Sequence, residues 1–244
     1  LRGMIVNPAK TDPEGWKSVK YLKYDRKSLT VWETHVADVT SSSTWTGTEA
    51  NRRRFLGMVE EGTTYTEGTV TVTTGFDHIK ELGVNAVQLI PVFDQANDET
   101  AYTFNWGYNP LNYNVVEGMY SSDPYDGYVR IKELKTVIQK FYQAGITVIM
   151  DVVYNHVNGV DGSNFDVLMP GELVRQIEGG SVIGGKGLAH GDLRIAAVIS
   201  PGSIEVVDAG LHGDLYHLVD RILVDVAVLA VYNGKPHGAE SQLR

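Results

Sequence analysis

Two nearly continuous apolar runs dominate the hydrophobic pattern of the chain, at residues 84–92 and 146–153. Runs of this kind are typical of strands that are buried on both faces. Between them, residues 128–144 repeat with helical period and end at Gly145. Four apolar residues share one face of this helix: Ile131, Leu134, Ile138 and Phe141. A strand, a helix and a second buried strand predict a parallel α/β sheet with covered faces.

Shorter elements are predicted on the N-terminal side of these two strands. Residues 75–82 fit a helix with Phe76, Ile79 and Leu82 on one face, and residues 29–36 contain a short strand. The Thr-, Ser- and Gly-rich residues 40–74 favour a long loop. In parallel sheets the segments that follow the strands meet at one edge, so we expect residues 93–125 and 151–170 to form one rim.

The predicted organisation has three parts: a connector at residues 1–29, the α/β unit at 30–170 and a divergent tail at 171–244. Every Trp and every Phe lies before residue 171, and the tail holds only Tyr216 and Tyr232 of the 13 tyrosines. Aromatic side chains supply much of the buried area of a core, so the tail would form a poorer one. The start at Leu1 favours a fragment of a longer protein.

Composition narrows the function classes. Acidic residues outnumber basic ones, 30 to 21, and the net charge of −9 disfavours nucleic acid as a partner. There is no cysteine, which excludes disulfides, thiolate catalysis and cysteine-ligated zinc. No apolar run approaches the roughly 20 residues of a membrane-spanning helix. Oligomeric state and location, cytoplasmic or secreted, stay open.

The second apolar run ends in a candidate polar site at residues 151–156, DVVYNH. Asp151 lies in an otherwise apolar strand, where an isolated carboxylate is costly, so it is either held by a structural partner or functional. Asn155 and His156 follow at the rim. His156 is either a catalytic or binding group or a rim histidine that bonds a loop carbonyl, and Asn155 could offer calcium an oxygen ligand.

The loop after the first apolar run holds three aromatic residues among polar ones, in FNWGYNP at residues 104–110. Such rings suit sugars, whose C–H faces stack on aromatic faces while their hydroxyls need hydrogen bonds. The alternative is a local aromatic core beneath the loop. His35 and Asp38 could also reach the rim, although surface polarity is the simpler interpretation for both.

These motifs together resemble a known family over residues 29–170. FNWGYNP is similar to YNWGYDP of the type I pullulanases, the starch-debranching branch of the alpha-amylase superfamily of glycoside hydrolases. DVVYNH resembles the first short motif of that superfamily. Residues 33–38, ETHVAD, resemble its E-x-H-V-R-D strand, but Ala37 stands where the family has Arg.

The resemblance implies a (β/α)8 TIM-type barrel of which this chain holds the N-terminal half with an atypical C-terminal tail. It implies retaining hydrolysis of α-1,6 linkages in an alpha-glucan such as pullulan, starch or glycogen. Tyr108 would stack on the sugar, with Trp106 and Asn105 in the same binding loop. His156 would bond the sugar hydroxyls, Asp151 would brace the site, and Asn155 would order the loop or a calcium ion. No cofactor is implied as a requirement.

The resemblance fails at the catalytic carboxyl groups. Residues 219–225, VDRILVD, are similar to the family's fourth strand and make Asp225 the candidate nucleophile, or else an acidic interruption in a marginal strand. Glu240 lacks the context of the acid/base, and about half of a roughly 250-residue barrel is missing. We therefore expect an incomplete chain that hydrolyses nothing, with a non-catalytic glucan-binding remnant as the alternative. The tail is natural, frameshifted or misassembled.

Overall fold

The structure is a computed structural model that describes residues 3–20, 22–154, 156–168, 194–200 and 203–208. Its strands are β1 Val31–Thr34, β2 Thr64–Glu67, β3 Val70–Thr73, β4 Ala86–Leu89, β5 Thr147–Val153, β6 Arg194–Ser200 and β7 Ser203–Asp208. Its α-helices are α1 Phe55–Met58, α2 Gly75–Glu81, α3 Gly127–Gln143 and α4 Asn164–Leu168. Five short 3-10 turns precede or separate these elements before α1.

The main sheet has the strand order β1-β4-β5-β6-β7. β4 lies between β1 and β5 and is parallel to both, with Ala86 opposite Thr147 and Leu89 opposite Met150. The predicted pairing of the two apolar runs is confirmed. Every residue of β5 is buried, as expected for a central strand with both faces covered.

The helices that connect the parallel strands cover the sheet through the predicted faces. Ile131, Leu134, Ile138 and Phe141 are all buried, and Phe141 meets Phe76 of α2 edge to face at 5.1 Å between ring centroids. Asp126 caps α3 by accepting a hydrogen bond from the backbone N–H of Tyr128 at 2.8 Å. Leu82 differs from the prediction, because it lies beyond the end of α2 and is exposed.

Residues 40–74 are not the continuous loop that their composition predicted. They contain α1 and a two-stranded antiparallel sheet of β2 and β3. α1 has only four residues, too few for a helical period to be visible in the sequence. The hairpin turns at Gly68, whose φ of 59° suits a glycine in a two-residue turn. Its strands are rich in threonine, a residue that is also common in loops, so composition alone did not distinguish them from a loop.

Residues 3–20 lie along α3. The Lys135 ammonium, which is buried, forms an ion pair with Asp12 at 2.8 Å. The side-chain amide of Gln139 donates to the carbonyl oxygen of Glu14 at 2.8 Å. A connection to a preceding domain stays a prediction.

Beyond β5 the sheet departs from an all-parallel arrangement. β6 pairs antiparallel with β5 and β7 pairs antiparallel with β6, so a hairpin covers the edge of β5 that a next parallel strand would use. Residues 219–225, predicted as a fourth strand, lie outside the described residues. Within the described part of the chain no helix combines the length and apolar character needed to cross a membrane.

Candidate functional site

Three segments meet at the C-terminal edge of the parallel strands. They are residues 35–38 after β1, residues 93–125 after β4 and residues 154 and 156–168 after β5. Because the three strands run in the same direction, the chain leaves each of them at the same edge. The predicted rim is therefore formed, and the long segment after β4 occupies its centre.

Tyr108, Asp151 and His156 are brought together at this rim. The Tyr108 hydroxyl donates to Oδ2 of Asp151 at 2.6 Å. Nε2 of His156 lies 2.7 Å from the carbonyl oxygen of Tyr108. A carbonyl oxygen only accepts, so Nε2 of His156 carries a proton and donates. The two predicted loops are thus joined through one residue of the aromatic motif.

Asp151 is only 3% exposed, so its carboxylate needs hydrogen-bond donors. The sequence suggested an arginine or a backbone N–H as the structural partner. The structure gives the Tyr108 hydroxyl as one donor to Asp151, and Tyr108 belongs to the candidate sugar-binding motif. A bond to an ionised group is stronger than a neutral one, so Asp151 fixes the ring of Tyr108 at the rim.

The motif loop turns sharply at Gly107, where φ is +88°. A Cβ at this position would lie 2.8 Å from the backbone oxygen of Pro91 and 2.6 Å from the side chain of Gln95, so no larger residue fits. The side chain of Asn105 closes the turn: its Oδ1 accepts from the Gly107 N–H at 3.0 Å and its Nδ2 donates to the Ala96 carbonyl at 3.2 Å. Asn105 thus shapes the loop that presents its neighbours.

Phe104 and Trp106 are the exposed aromatic residues of the motif, 53% and 62% accessible. Their rings meet edge to face at 5.9 Å, and Phe104 also lies against the ring of His35 at 5.4 Å. Two large rings that stay open to solvent contradict a buried aromatic core at these two positions. They form an apolar platform beside the polar groups of Tyr108.

His35 is not a surface residue, as the simpler interpretation held, but is 5% exposed beneath the motif loop. Its Nδ1 accepts from the Ala37 N–H at 3.1 Å, so the proton is on Nε2. Nε2 lies 2.9 Å from the carbonyl oxygen of Asn105 and 2.9 Å from the Tyr120 hydroxyl. Composition gave no sign of this role, whereas the resemblance of residues 33–38 to a family strand did. Asp38 is exposed, as expected.

The segment after β5 also packs against the motif loop. The Tyr113 hydroxyl donates to the His156 carbonyl at 2.8 Å, and burial raises the pKa of Tyr113 to about 12. The Asn158 N–H donates to the Pro110 carbonyl at 2.8 Å. These bonds hold the two sides of the rim at a fixed separation.

A buried acidic cluster that the sequence reasoning missed lies at the base of the same loop. Carboxylate oxygens of Asp94, Glu99 and Glu117 all lie within 4.8 Å of one another. Burial raises the pKa of Glu117 to about 7, and burial also raises the pKa of Asp94. Arg130 binds both oxygens of Glu99, each at 2.6 Å.

The cluster fits neither a calcium site nor a glycosidase carboxyl pair. Calcium takes about six to eight oxygen ligands. Here the guanidinium of Arg130 holds both Glu99 oxygens, and the Gln95 and Met119 N–H groups each donate to one Glu117 oxygen, at 3.0 and 2.7 Å. Glu117 is fully buried, so no substrate reaches it. The cluster therefore anchors the loop.

Asn155, the predicted calcium ligand, and Asp225, the predicted nucleophile, lie outside the described residues. Glu240 lies outside them as well. Their roles stay predictions that rest on the sequence alone.

Residues 25–165 match the family of the alpha-amylase catalytic domain, which is more than half of the chain. The pullulanase of Bacillus subtilis (strain 168) is 36% identical over 192 residues, which cover 78% of this chain and 26% of that protein. Pullulanase A of Streptococcus pneumoniae serotype 4 is 32% identical over 177 residues, covering 66% of this chain and 13% of that protein.

Solved pullulanase structures are also similar. The pullulanase of Paenibacillus barengoltzii in complex with maltohexaose and alpha-cyclodextrin has a TM-score of 0.62 and 41% identity, over 68% of this chain and 26% of that one. The pullulanase of Bacillus acidopullulyticus has a TM-score of 0.63 and 41% identity, over 69% of this chain and 20% of that one. The chain spans about a quarter or less of the length of these relatives.

Proposed function

Since the chain belongs to the alpha-amylase catalytic-domain family of glycoside hydrolases, we propose that it is the N-terminal half of a pullulanase-type (β/α)8 barrel. The complete enzyme would hydrolyse α-1,6 branch linkages in an alpha-glucan with retention at the anomeric carbon. The described residues supply its sugar-binding rim. The atypical tail at residues 171–244 is part of the same proposal.

One observation carries the proposal: Tyr108 is fixed between Asp151 and His156 next to an exposed pair of rings. An apolar platform beside a few oriented polar groups is the arrangement that sugar sites use. Phe104 and Trp106 would stack on the C–H faces of glucose units. The pullulanase of Paenibacillus barengoltzii, solved with maltohexaose and alpha-cyclodextrin, supports an alpha-glucan as the ligand.

Glucan binding and hydrolysis would depend on different residues, and the described part of this chain supplies only those for binding. A retaining glycosidase needs two accessible carboxyl groups about 5–5.5 Å apart. Among the described residues, Asp151 already receives the Tyr108 hydroxyl and is buried, and in the acidic cluster Glu117 is fully buried while both Glu99 oxygens are held by Arg130. We therefore propose that this chain alone binds alpha-glucan and releases no reducing sugar.

The second candidate function, a non-catalytic glucan-binding remnant, is favoured by the same exposed rings. It differs from the first in needing no partner half-barrel. Adding a polypeptide that supplies the missing strands would restore hydrolysis in an incomplete enzyme and leave a binding remnant unchanged.

The test is retention of the purified chain on a β-cyclodextrin column, with isothermal titration to obtain the affinity. Trp106→Ala should weaken binding by about tenfold or more, since a stacking ring contributes about 0.5–1.5 kcal/mol beyond the area it buries. Tyr65→Ala, which removes a ring from β2, is the matched control and should bind as the parent does. Absence of retention would contradict the binding proposal, and robust release of reducing sugar from pullulan would contradict the inactivity.

A calcium ion held by Asn155 and a nucleophile at Asp225 belong to this proposal as sequence-based expectations. Neither is needed for glucan binding at Tyr108 and Trp106.

A further inference from the structure

His35 is a buried polar side chain that contacts the supports of both exposed rings of the motif. It follows β1 directly and is 5% exposed. Its ring lies against the ring of Phe104, with 5.4 Å between the centroids and 30° between the ring planes. Its Nε2 lies 2.9 Å from the carbonyl oxygen of Asn105. Phe104 and Asn105 are the two residues before Trp106, so one imidazole reaches both halves of the apolar platform.

Groups outside the motif fix the orientation of the His35 ring. Its Nδ1 accepts from the Ala37 N–H at 3.1 Å, which leaves the proton on Nε2, the nitrogen that faces the motif loop. The ring of Tyr120 meets the imidazole edge to face at 5.6 Å, and the Tyr120 hydroxyl lies 2.9 Å from Nε2. That hydroxyl also accepts from the side-chain amide of Gln95 at 3.4 Å. The donor for the Asn105 carbonyl is therefore held in place independently of the motif.

The bond to the Asn105 carbonyl acts on Trp106 through covalent geometry. A peptide unit is planar, so the carbonyl of Asn105 lies in one plane with the N–H and Cα of Trp106. A donor fixed on this carbonyl therefore fixes the direction in which the chain enters Trp106. The side chain of Asn105 bonds the Gly107 N–H, so the two bonds act on either side of Trp106.

We propose that His35 is the positioning residue of the apolar platform: its Nε2–H holds the Asn105 carbonyl and thereby sets the angle between the rings of Trp106 and Phe104. These rings meet at 86° with their centroids 5.9 Å apart. The inference rests on the proposed function, in which both rings stack on glucose units of an alpha-glucan. Without a donor at this carbonyl, the glucan must order the Trp106 peptide as it binds, and this ordering reduces the affinity.

The experiment replaces His35 with two amides of different length and measures maltohexaose binding to the full chain by isothermal titration. The amide of His35→Gln reaches the position of Nε2 and supplies an N–H to the Asn105 carbonyl, but it leaves the Ala37 N–H without its acceptor. The shorter amide of His35→Asn reaches the position of Nδ1 and does the reverse. We expect His35→Gln to bind within about threefold of the parent and His35→Asn to bind about tenfold more weakly.

Tyr120→Phe is the matched control, because it removes the other neighbour of Nε2 and leaves the bond to the Asn105 carbonyl in place. It should lower the melting temperature, since the Gln95 amide loses an acceptor, yet bind maltohexaose as the parent does. If His35 acted only on the fold, affinity would follow the melting temperature across the three variants. Equal affinities of His35→Gln and His35→Asn, or an equal loss in Tyr120→Phe, would overturn the proposal.

A spectroscopic measurement on the parent chain keeps the proposal testable if His35→Asn does not fold. Nuclear magnetic resonance of isotope-labelled histidine reports which ring nitrogen carries the proton. The His35 signal, assigned by its absence from His35→Gln, should show the proton on Nε2 and should shift when maltohexaose is added. The signal of His78 on α2 should stay unchanged. A His35 signal that does not respond to saturating maltohexaose would overturn the positioning role.

Two outcomes separate this inference from the proposed function. Loss of maltohexaose binding in Trp106→Ala, together with parental affinity in His35→Asn, would overturn the positioning role and leave the proposed function standing. A parent chain that does not bind maltohexaose would overturn both.

Discussion

Glu117 should make the free energy of unfolding depend on pH. Its side chain is fully buried, and burial raises its pKa from 4.5 to about 7, while hydrogen bonds from the Gln95 and Met119 N–H groups lower it in part. The negative charges of Glu99 and Asp94 add smaller upward effects. The folded chain therefore binds this proton more tightly than the unfolded chain does.

The sign and size of this pH effect on the free energy of unfolding follow from the linkage between proton binding and folding. The stabilising contribution is fully present below the unfolded pKa of 4.5 and is lost as pH rises through the folded pKa of about 7. A difference of about 2.5 pKa units, at about 1.36 kcal/mol per unit, gives a loss of about 3 kcal/mol. For a chain of this size that corresponds to a fall of roughly 6–12 °C in melting temperature.

The assay is urea-induced unfolding, followed by tryptophan fluorescence at a series of pH values from about 4.5 to about 8. Glu117→Gln keeps the size of the side chain and removes the titration. The glutamine amide must place its NH₂ group against the N–H of Gln95 or of Met119, and two donors cannot bond each other. We therefore expect the variant protein to be less stable than the parent at low pH. The difference between the two proteins should then narrow by about 3 kcal/mol as pH rises.

Glu67→Gln, on the exposed hairpin strand β2, controls for the loss of one negative charge and should follow the parent curve. Asp94, whose pKa burial also raises, is present in all three proteins, so it does not produce the difference. A Glu117→Gln profile parallel to that of the parent would refute the reasoning, because the buried carboxyl would then titrate alike in both states.

Two further substitutions test the motif loop. Gly107→Ala should destabilise the chain by about 2–4 kcal/mol, because the new Cβ would lie 2.8 Å from a backbone oxygen. Gly62→Ala is the control: this residue has a similar positive φ but open space around it, so the substitution should cost about 1 kcal/mol. Equal melting temperatures of the two variants would disprove the clash. Tyr108→Phe removes the 2.6 Å bond to Asp151 and should cost about 1.5–3 kcal/mol by urea unfolding. Tyr113→Phe loses a neutral bond and should cost about half as much, and the reverse order would contradict a charge-assisted bond.

The sequence predicted the central sheet because its strands are apolar on both faces. Every residue of β5 is buried, so its apolar run needs no alternation with a solvent-facing side. The apolar face of α3 repeats from Ile131 to Phe141, over about three turns. The hairpin of β2 and β3 was not predicted from the sequence, because its stability does not come from burial. Its strands are mostly exposed, and their threonines match the composition of a loop.

The candidate site was predicted where a residue broke the local pattern. Asp151 stood out as a carboxyl in an apolar strand, and Tyr108 as part of an aromatic motif. The acidic cluster gave no such contrast, because Asp94, Glu99 and Glu117 are ordinary charged residues of a polar loop in the sequence, and only the fold brings them together and buries Asp94 and Glu117. The burial of Glu117 depends on the fold, which brings this residue back to the N–H of Gln95, 22 residues earlier in the sequence.

The three loops at the rim are joined by bonds to the backbone of the aromatic motif more than by contacts between its side chains. His35 bonds the Asn105 carbonyl, and His156 bonds the Tyr108 carbonyl, so both imidazoles hold the path of the chain. The exposed ring of Trp106 lies between these two fixed points and owes its position to them. Because a platform held in this way is ordered without a ligand, the proposed glucan binding would cost little conformational entropy. The proposed binding is therefore physically reasonable even though the described residues form no accessible carboxyl pair for hydrolysis.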